Sequence, residues 1–225
     1  MNPLTGHATS AAEMIRFDQG SRSHLQHIQR LRKYTLRLTL AVGLGILLFT
    51  GSAWRTRAPA IHDLISQLGV LLILLCIVGR TWCTLYIGGM KKTQLVTEGP
   101  YSLVRNPLYL FTIIGAAGVG AQAGSLTMTL GLSLLVAMVF YAVALQEEAF
   151  LAETFGSAYQ TYADRVPLFF PRFTTWQDAD QLTISPRLVR RTFMDALPFL
   201  IAVPANDLIE LLQDDKWLPV LVRLP

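Results

Sequence analysis

Three stretches of the chain are long, apolar and almost free of charge, and they set the expected architecture. Leu38 to Trp54 carries no charged residue, Leu64 to Met90 carries only Arg80, and Asn106 to Gln146 carries none. A helix needs ~20 mostly apolar residues to cross the hydrocarbon core of a bilayer. The first stretch predicts a slightly short span over 38–54, with Arg37 and Arg55 placed to reach the headgroups. The second predicts a span over 64–86. The third holds two spans, 107–122 and 124–146, joined by a tight turn at Ala121-Gln122-Ala123-Gly124. The expected fold class is therefore all-α integral membrane, with four transmembrane helices and a C-terminal cytoplasmic or re-entrant helical segment.

The flanks divide the rest. Residues 1–36 read as a basic cytoplasmic segment, 37–175 as the transmembrane core, and 176–225 as a connector followed by interfacial or re-entrant helices. Leu25, Ile28 and Leu31 lie at helical spacing beside Arg30, Arg32 and Lys33. They suit either a basic amphipathic helix on the inner leaflet or a helical lead-in to the first span. No secretory signal is expected, because the first apolar run follows more than 30 mostly polar residues. Phe193 to Leu212 begins apolar but contains Asp195, Pro198, Pro204, Asp207 and Glu210. That mixture predicts a broken, re-entrant or interfacial segment, since irregular backbone at depth needs protein or water around it.

Composition agrees with the pattern. Of 225 residues, 52% are hydrophobic and 15% charged, against ~25% charged in ordinary soluble domains. The mean hydropathy is +0.41. Disorder is excluded and a purely soluble fold is disfavoured. The net charge of +4 is accounted for by basic cytoplasmic loops, so no nucleic-acid partner is expected. Lys and Arg cluster before the first span and again at Lys91, Lys92 and Arg105; Arg55 and Arg57 dissent mildly. The positive-inside rule places the N-terminus, the 91–105 loop and the end of the fourth span in the cytoplasm. The expected location is a multi-pass protein of a bacterial inner membrane or the endoplasmic reticulum. No motif sets the number of copies in an assembly.

Several suggestive residues have ordinary explanations. Gly115-Ala-Ala-Gly118-Val-Gly120 lacks the strand that a nucleotide-binding glycine loop requires, and instead suits two membrane helices packed closely. Cys76 and Cys83 lie two turns apart on one helix face, ~10.5 Å between Cα atoms, too far for a disulfide. His7, His24, His27 and His62 all fall outside the expected spans, and no metal site is expected. Arg80 has two readings. It either faces the protein interior or a wet cavity at mid-span, or marks an early helix end beside Trp82 and Tyr86 in an aromatic belt.

Two polar clusters flank the charge-free hairpin. Before it stands Glu98-Gly99-Pro100-Tyr101-Ser102-Leu103-Val104-Arg105-Asn106-Pro107-Leu108-Tyr109; after it come Glu147-Glu148, Phe155-Gly156, Tyr159, Tyr162, Val166-Pro167 and Pro171-Arg172. A hairpin that goes out and comes back brings both clusters to one membrane face. One arginine, two carboxylates, an amide and several tyrosines would then meet beside the bilayer.

These motifs resemble the integral-membrane methyltransferases related to isoprenylcysteine carboxyl methyltransferase and the phospholipid methyltransferases. Their pattern is Gly-Pro-Tyr, Arg-His-Pro-x-Tyr, a helical hairpin, Glu-Glu, then Phe-Gly-x-x-Tyr-x-x-Tyr. The likeness runs from about Arg80 to Arg172, with one departure: Asn106 stands where the family usually has His. An amide donates and accepts hydrogen bonds but is no base near neutral pH. The resemblance implies S-adenosylmethionine as methyl donor, with a lipid-like or amphipathic small acceptor entering from the bilayer and methylated at the cytoplasmic face on a carboxylate oxygen, an amine nitrogen or a thiol sulfur. It implies a cofactor site of Gly99, Pro100, Tyr101, Arg105, Asn106, Pro107, Tyr109, Glu147, Glu148 and Tyr159, with Arg105, Glu147 and Glu148 nearest the chemistry. Neighbouring residues on a helix point ~100° apart, so the two glutamates must differ in role: one binds the donor, the other braces Arg105 or a tyrosine. Two other functions remain open. One is a nicotinamide-dependent membrane reductase of the sterol-reductase type; the other is a non-enzymatic membrane scaffold.

Overall fold

The structure, a computed structural model, describes residue 43, residues 45–88 and residues 94–225. The expected features of residues 1–36, residues 38–42 and 44 of the first span, and Lys91 and Lys92 lie outside them. Residues 45–49 are helical. Strand β1 (Thr50–Ser52) and the single turn α1 (Trp54–Arg57) follow. The expected span over 38–54 is thus corrected at its end: residues 50–52 are strand, not helix. They pair in parallel with β2 (Val222–Leu224), Gly51 opposite Arg223.

Three helices make the frame. Helix α2 (Pro59–Ile87) has 29 residues and starts on Pro59, whose missing N–H is no loss in a first turn. It ends at Gly88 in the left-handed region. After α3 (Pro100–Leu103) comes α4 (Pro107–Gln122), with the bounds expected of the third span. The turn closes at Gly124 (φ 61°), and Ser125 caps α5 (Leu126–Phe155) by accepting from the Met128 N–H. Two expectations are corrected. Helix α2 starts five residues before the expected 64, and α5 continues nine past the expected 146, because Glu147 to Phe155 contains good helix formers and no breaker before Gly156.

Helices α2 and α4 approach closely through small residues. A Cβ on Gly118 would lie 2.8 Å from the Gly69 carbonyl oxygen, and one on Gly115 2.5 Å from the Cys76 sulfur. Only 33% of the apolar window of α2 and 28% of that of α5 is buried, whereas a core helix of a soluble protein is mostly buried. Leu64, Leu68, Leu71, Leu75 and Val78 form one exposed stripe along α2; Leu130, Leu134, Met138, Tyr141 and Leu145 form another along α5. Bare apolar faces of this length suit lipid rather than water. Helices α2 and α5 are long and apolar enough to cross a membrane, and α4 is a shorter apolar helix.

Arg80 is half-buried and turns inward, at the end of α2 that also carries Trp82 and Tyr86. Helix α2 does not end there, and the guanidinium donates to Thr112 Oγ1 on α4. Thr112 is buried and passes its own proton to the Leu108 carbonyl (2.7 Å). His62 is corrected as well: it lies inside α2, 8% exposed, with Nε2 3.4 Å from Glu210. Cys76 and Cys83 are buried and free.

Beyond α5, α6 (Ser157–Arg165) is followed by an irregular segment with one 3₁₀ turn (Phe173–Thr175), then α7 (Pro186–Ala196) and α8 (Pro198–Asp214). The expected break in the last apolar stretch falls at Leu197–Pro198, where Pro198 removes a helix N–H. Residues 186–192, expected as connector, are helical. Ala196 is buried against Ile73 and Ile77 of α2, with Phe199, Leu200, Ala202 and Val203 around them.

Candidate functional site

The site is built where α4 begins and α5 runs out. Gly99 takes φ 58° and ψ −131°, open to glycine but strained for other residues. That turn puts Pro100 at the start of α3. Ser102 Oγ donates to the Gly99 carbonyl (2.6 Å) and accepts from the Gln177 N–H (3.0 Å).

Residues 167–177 lie across this turn as a strap. Gly99 N–H donates to the Gln177 carbonyl (2.7 Å), Arg172 N–H to Leu103 (3.0 Å) and Arg105 N–H to Pro167 (2.9 Å). Thr175 Oγ1 donates to the Ser102 carbonyl (2.6 Å). The strap is fixed to α2 as well: Trp176 stacks on Trp82 with centroids 6.0 Å apart, and Tyr86 donates to Asp178 (2.7 Å). Backbone groups that would otherwise go unpaired thereby hold the Gly-Pro-Tyr-Ser-Leu-Val-Arg segment in one conformation.

From the other side, α5 and α6 bring the second cluster. Arg105 Nη1 lies 2.6 Å from Glu148 Oε1, and the Tyr159 hydroxyl donates to the same oxygen at 3.0 Å. Both side chains of the ion pair are about four-fifths buried (17% and 20% exposed), so it is screened less than a surface pair. The Tyr162 hydroxyl donates to the Tyr101 carbonyl (2.7 Å). Burial, then the Glu148 charge, pushes Tyr159 up to about 12. The Tyr101 hydroxyl is raised well above 10, first by burial, with Cys83, Tyr162 and Glu147 adding to it. Both therefore stay protonated at any physiological pH.

The two glutamates differ, as adjacent helix positions must. Glu148 meets Arg105 and Tyr159. Glu147 is half-buried and near enough to Tyr101 to affect its ionisation, and it makes no ion pair among the described residues. Two buried polar atoms here, Tyr101 Oη and Arg105 Nε, have no hydrogen-bond partner among the described residues. Orphaned donors of this kind are rare in folded proteins unless something else satisfies them.

Of the residues singled out from the sequence, Tyr101, Arg105, Glu147, Glu148 and Tyr159 come together. Gly99, Pro100 and Pro107 shape the backbone. Asn106 is the N-cap of α4, yet its side chain caps nothing; its carbonyl accepts from Tyr109 and Leu110. Tyr109 is buried, stacked on Phe140 at 4.5 Å. The sequence reading missed Ser102 and the strap, whose only trace was the spacing of Pro167 and Pro171, and it missed Thr112 as the partner of Arg80.

The two left-handed glycines of the site provide an internal control. Gly156 has φ 55° and ψ −128°, nearly the backbone of Gly99, but a Cβ there meets none of the described residues within 4 Å, whereas one on Gly99 lies 2.2 Å from the Tyr86 ring. Gly156→Ala is expected to cost only backbone strain, ~1–3 kcal/mol. Gly99→Ala should cost clearly more and lower the melting temperature further. Thermal unfolding of both variants in one detergent checks this; equal losses would mean that Tyr86 moves aside freely.

A family model described as phospholipid methyltransferase matches residues 64–158, which hold both glutamates and the Gly-Pro-Tyr and Arg-Asn-Pro motifs. The chain is 35% identical over 189 residues to the nickel-cobalt-cadmium resistance protein NccN of Alcaligenes xylosoxydans xylosoxydans, covering 84% of this chain and 87% of that protein. It is 36% identical over 204 residues to the cobalt-zinc-cadmium resistance protein CzcN of Cupriavidus metallidurans, covering 91% and 93%. It is also 38% identical over 81 residues to a protein-S-isoprenylcysteine O-methyltransferase of Schizosaccharomyces pombe, covering 36% and 34%. No solved structure matches.

Proposed function

The chain belongs to the integral-membrane methyltransferase family of the phospholipid and isoprenylcysteine methyltransferases, and from that premise we propose that it transfers a methyl group from S-adenosylmethionine to a lipid-like or amphipathic acceptor. The observation that carries this reading is the Arg105–Glu148–Tyr159 contact at the foot of the hairpin, with orphaned Arg105 Nε and Tyr101 Oη beside it.

The donor suits these residues. It carries a carboxylate, an ammonium, ribose hydroxyls and an adenine. Arg105, held by Glu148 through one nitrogen, keeps further N–H donors for the carboxylate. Glu147 accepts from the ammonium or ribose. Glu148 is a positioning residue: it fixes the guanidinium, and Tyr159 fixes Glu148. The strap over residues 99–105 limits water at the site. When bound, the donor supplies an electrophilic methyl on a sulfonium that is already a good leaving centre, so alignment provides much of the acceleration. Asn106 takes no proton near neutral pH, and an acceptor arriving as a carboxylate suits such a site best. The exposed apolar faces of α2 and α5 leave the acceptor a route from lipid. The names of two relatives add a setting, resistance to nickel, cobalt, zinc or cadmium, in which this methylation would act.

Calorimetry on detergent-purified protein tests the donor, and transfer of labelled methyl from it to an organic-soluble product tests the reaction. S-adenosylmethionine is expected to bind and label such a product. Binding of a nicotinamide cofactor instead would favour the reductase, and binding of neither the scaffold.

A further inference from the structure

Helices α7 and α8 look too charged to be a membrane span: Arg187, Arg190, Arg191, Asp195, Asp207, Glu210 and Asp214 all lie on them. Their path through the fold says otherwise. The segment starts at the site end of α2, where the Thr183 carbonyl packs against Gly88. It passes mid-bundle, where Ala196 meets Ile73 and Ile77 and the Phe199 ring lies against Gly115. It finishes at the opposite end, where Ile209 packs with Leu47, Ala123 and Met128, Glu210 meets His62, and Asp214 pairs with Arg55 at 2.6 Å. Residues 186–214 thus run antiparallel to α2 over a run of the same length.

The charges fall at matching heights. On α2 the interval between Asp63 and Arg80 carries no charge; on α7–α8 the interval between Arg191 and Asp207 carries only Asp195, which pairs with Arg191 one turn away (3.7 Å). At 1.5 Å per residue these intervals are about 26 and 24 Å, and the 16-residue α4 is about 24 Å. A bilayer core is ~30 Å thick, and thinning with snorkelling of terminal charges closes a gap of this size. The arginine end lies at the height of Trp82, Tyr86 and Trp176, residues suited to a headgroup belt. Beyond it, Met194, Ile201 and Leu208 are exposed, as lipid-facing residues would be.

We propose that α7 and α8 together form one broken transmembrane crossing, with Arg187, Arg190 and Arg191 among the anionic headgroups of the leaflet at the Arg105–Glu148 end. Residues 207–225, the β1–β2 pairing and the His62–Glu210 contact then lie at the opposite membrane face. The cavity of about 250 Å³ between α2 and α8, lined by His62, Asp63, Asn206, Asp207 and Glu210 among others, opens at that face. The crossing stands apart from the proposed chemistry: among the described residues, the ion pair and hydrogen bond of Glu148 go to Arg105 and Tyr159, not to α7 or α8.

The test uses sealed membrane vesicles of both orientations and an impermeant maleimide. Cys76 and Cys83 are buried, and the unsubstituted chain gives the background. Asp215→Cys should label from the face opposite to Ser157→Cys. A protease site appended after Pro225 should be cut from the same face as Asp215→Cys labels, which guards against a substitution that disturbs the fold. Labelling of positions 157 and 215 from one face, with cleavage after Pro225 also from that face, overturns the crossing. Donor binding by the detergent-purified cysteine variants is expected to match that of the parent, whichever face each labels from.

Discussion

Glu147→Gln is expected to abolish methyl transfer and weaken donor binding while leaving the melting temperature almost unchanged. Glu147 makes no ion pair among the described residues, so removing its charge breaks nothing in the fold. A charge-assisted hydrogen bond to the donor contributes ~1.5–3 kcal/mol, roughly a 10- to 150-fold loss of affinity. Glu148→Gln should behave differently. The amide still accepts from Tyr159, but the Arg105 guanidinium loses its counter-charge in a site four-fifths buried. Breaking a fully buried pair costs ~3–5 kcal/mol and an exposed one at most about 1, so an intermediate loss of stability is expected. Thermal unfolding and donor affinity, measured on both variants, decide the assignment. If Glu147→Gln lowers stability and Glu148→Gln does not, the roles are reversed. If neither changes affinity, the pair is a helix surface and the methyltransferase reading loses its main physical support.

Arg105→Ala carries the second large effect. Donor affinity should fall by roughly 2–3 kcal/mol, the scale of a lost charge-assisted contact. Stability should fall as well, because Glu148 is left about four-fifths buried without its cation. Arg105→Lys separates the two losses. Lysine restores the charge opposite Glu148 but not the planar fork that serves Glu148 and a second partner together. The expected outcome is a melting temperature near that of the parent with donor affinity still reduced. A lysine variant that binds donor normally would mean that Arg105 acts only as a helix-end anchor.

The Tyr159 hydroxyl adds a check on the same contacts. Its ionisation is pushed up to about 12 by burial and Glu148. A raised pKa means that the contribution of the Tyr159–Glu148 bond is complete below the ordinary tyrosine value near 10 and is lost as pH rises through about 12. Stability in mildly alkaline buffer should therefore not depend on Tyr159 ionisation, and Tyr159→Phe should lower it equally at pH 7 and pH 9.

What the sequence determined by itself follows from local physics. Helices bordering lipid must be apolar over a fixed length, so charge-free runs located α2, α4 and α5, and Gly124 marked the turn because a short hairpin needs a residue that tolerates positive φ. Adjacency on a helix required that Glu147 and Glu148 differ. Their difference could be deduced, but which one meets Arg105 could not, since that depends on how α5 is rotated against α4 and α6. The extension of α5 past Gln146 was hidden because glutamates mark a membrane boundary and favour helix alike. Only the tertiary structure revealed the strap of residues 167–177, the β1–β2 pairing and the route of α7–α8. The strap and the strands are held by backbone hydrogen bonds between distant segments, which leave no period in the side chains. The arginines of α7 fell in the expected polar connector and the carboxylates of α8 in the expected broken segment; only the fold places the two sets at opposite ends of the bundle, with an apolar middle against Ile73 and Ile77.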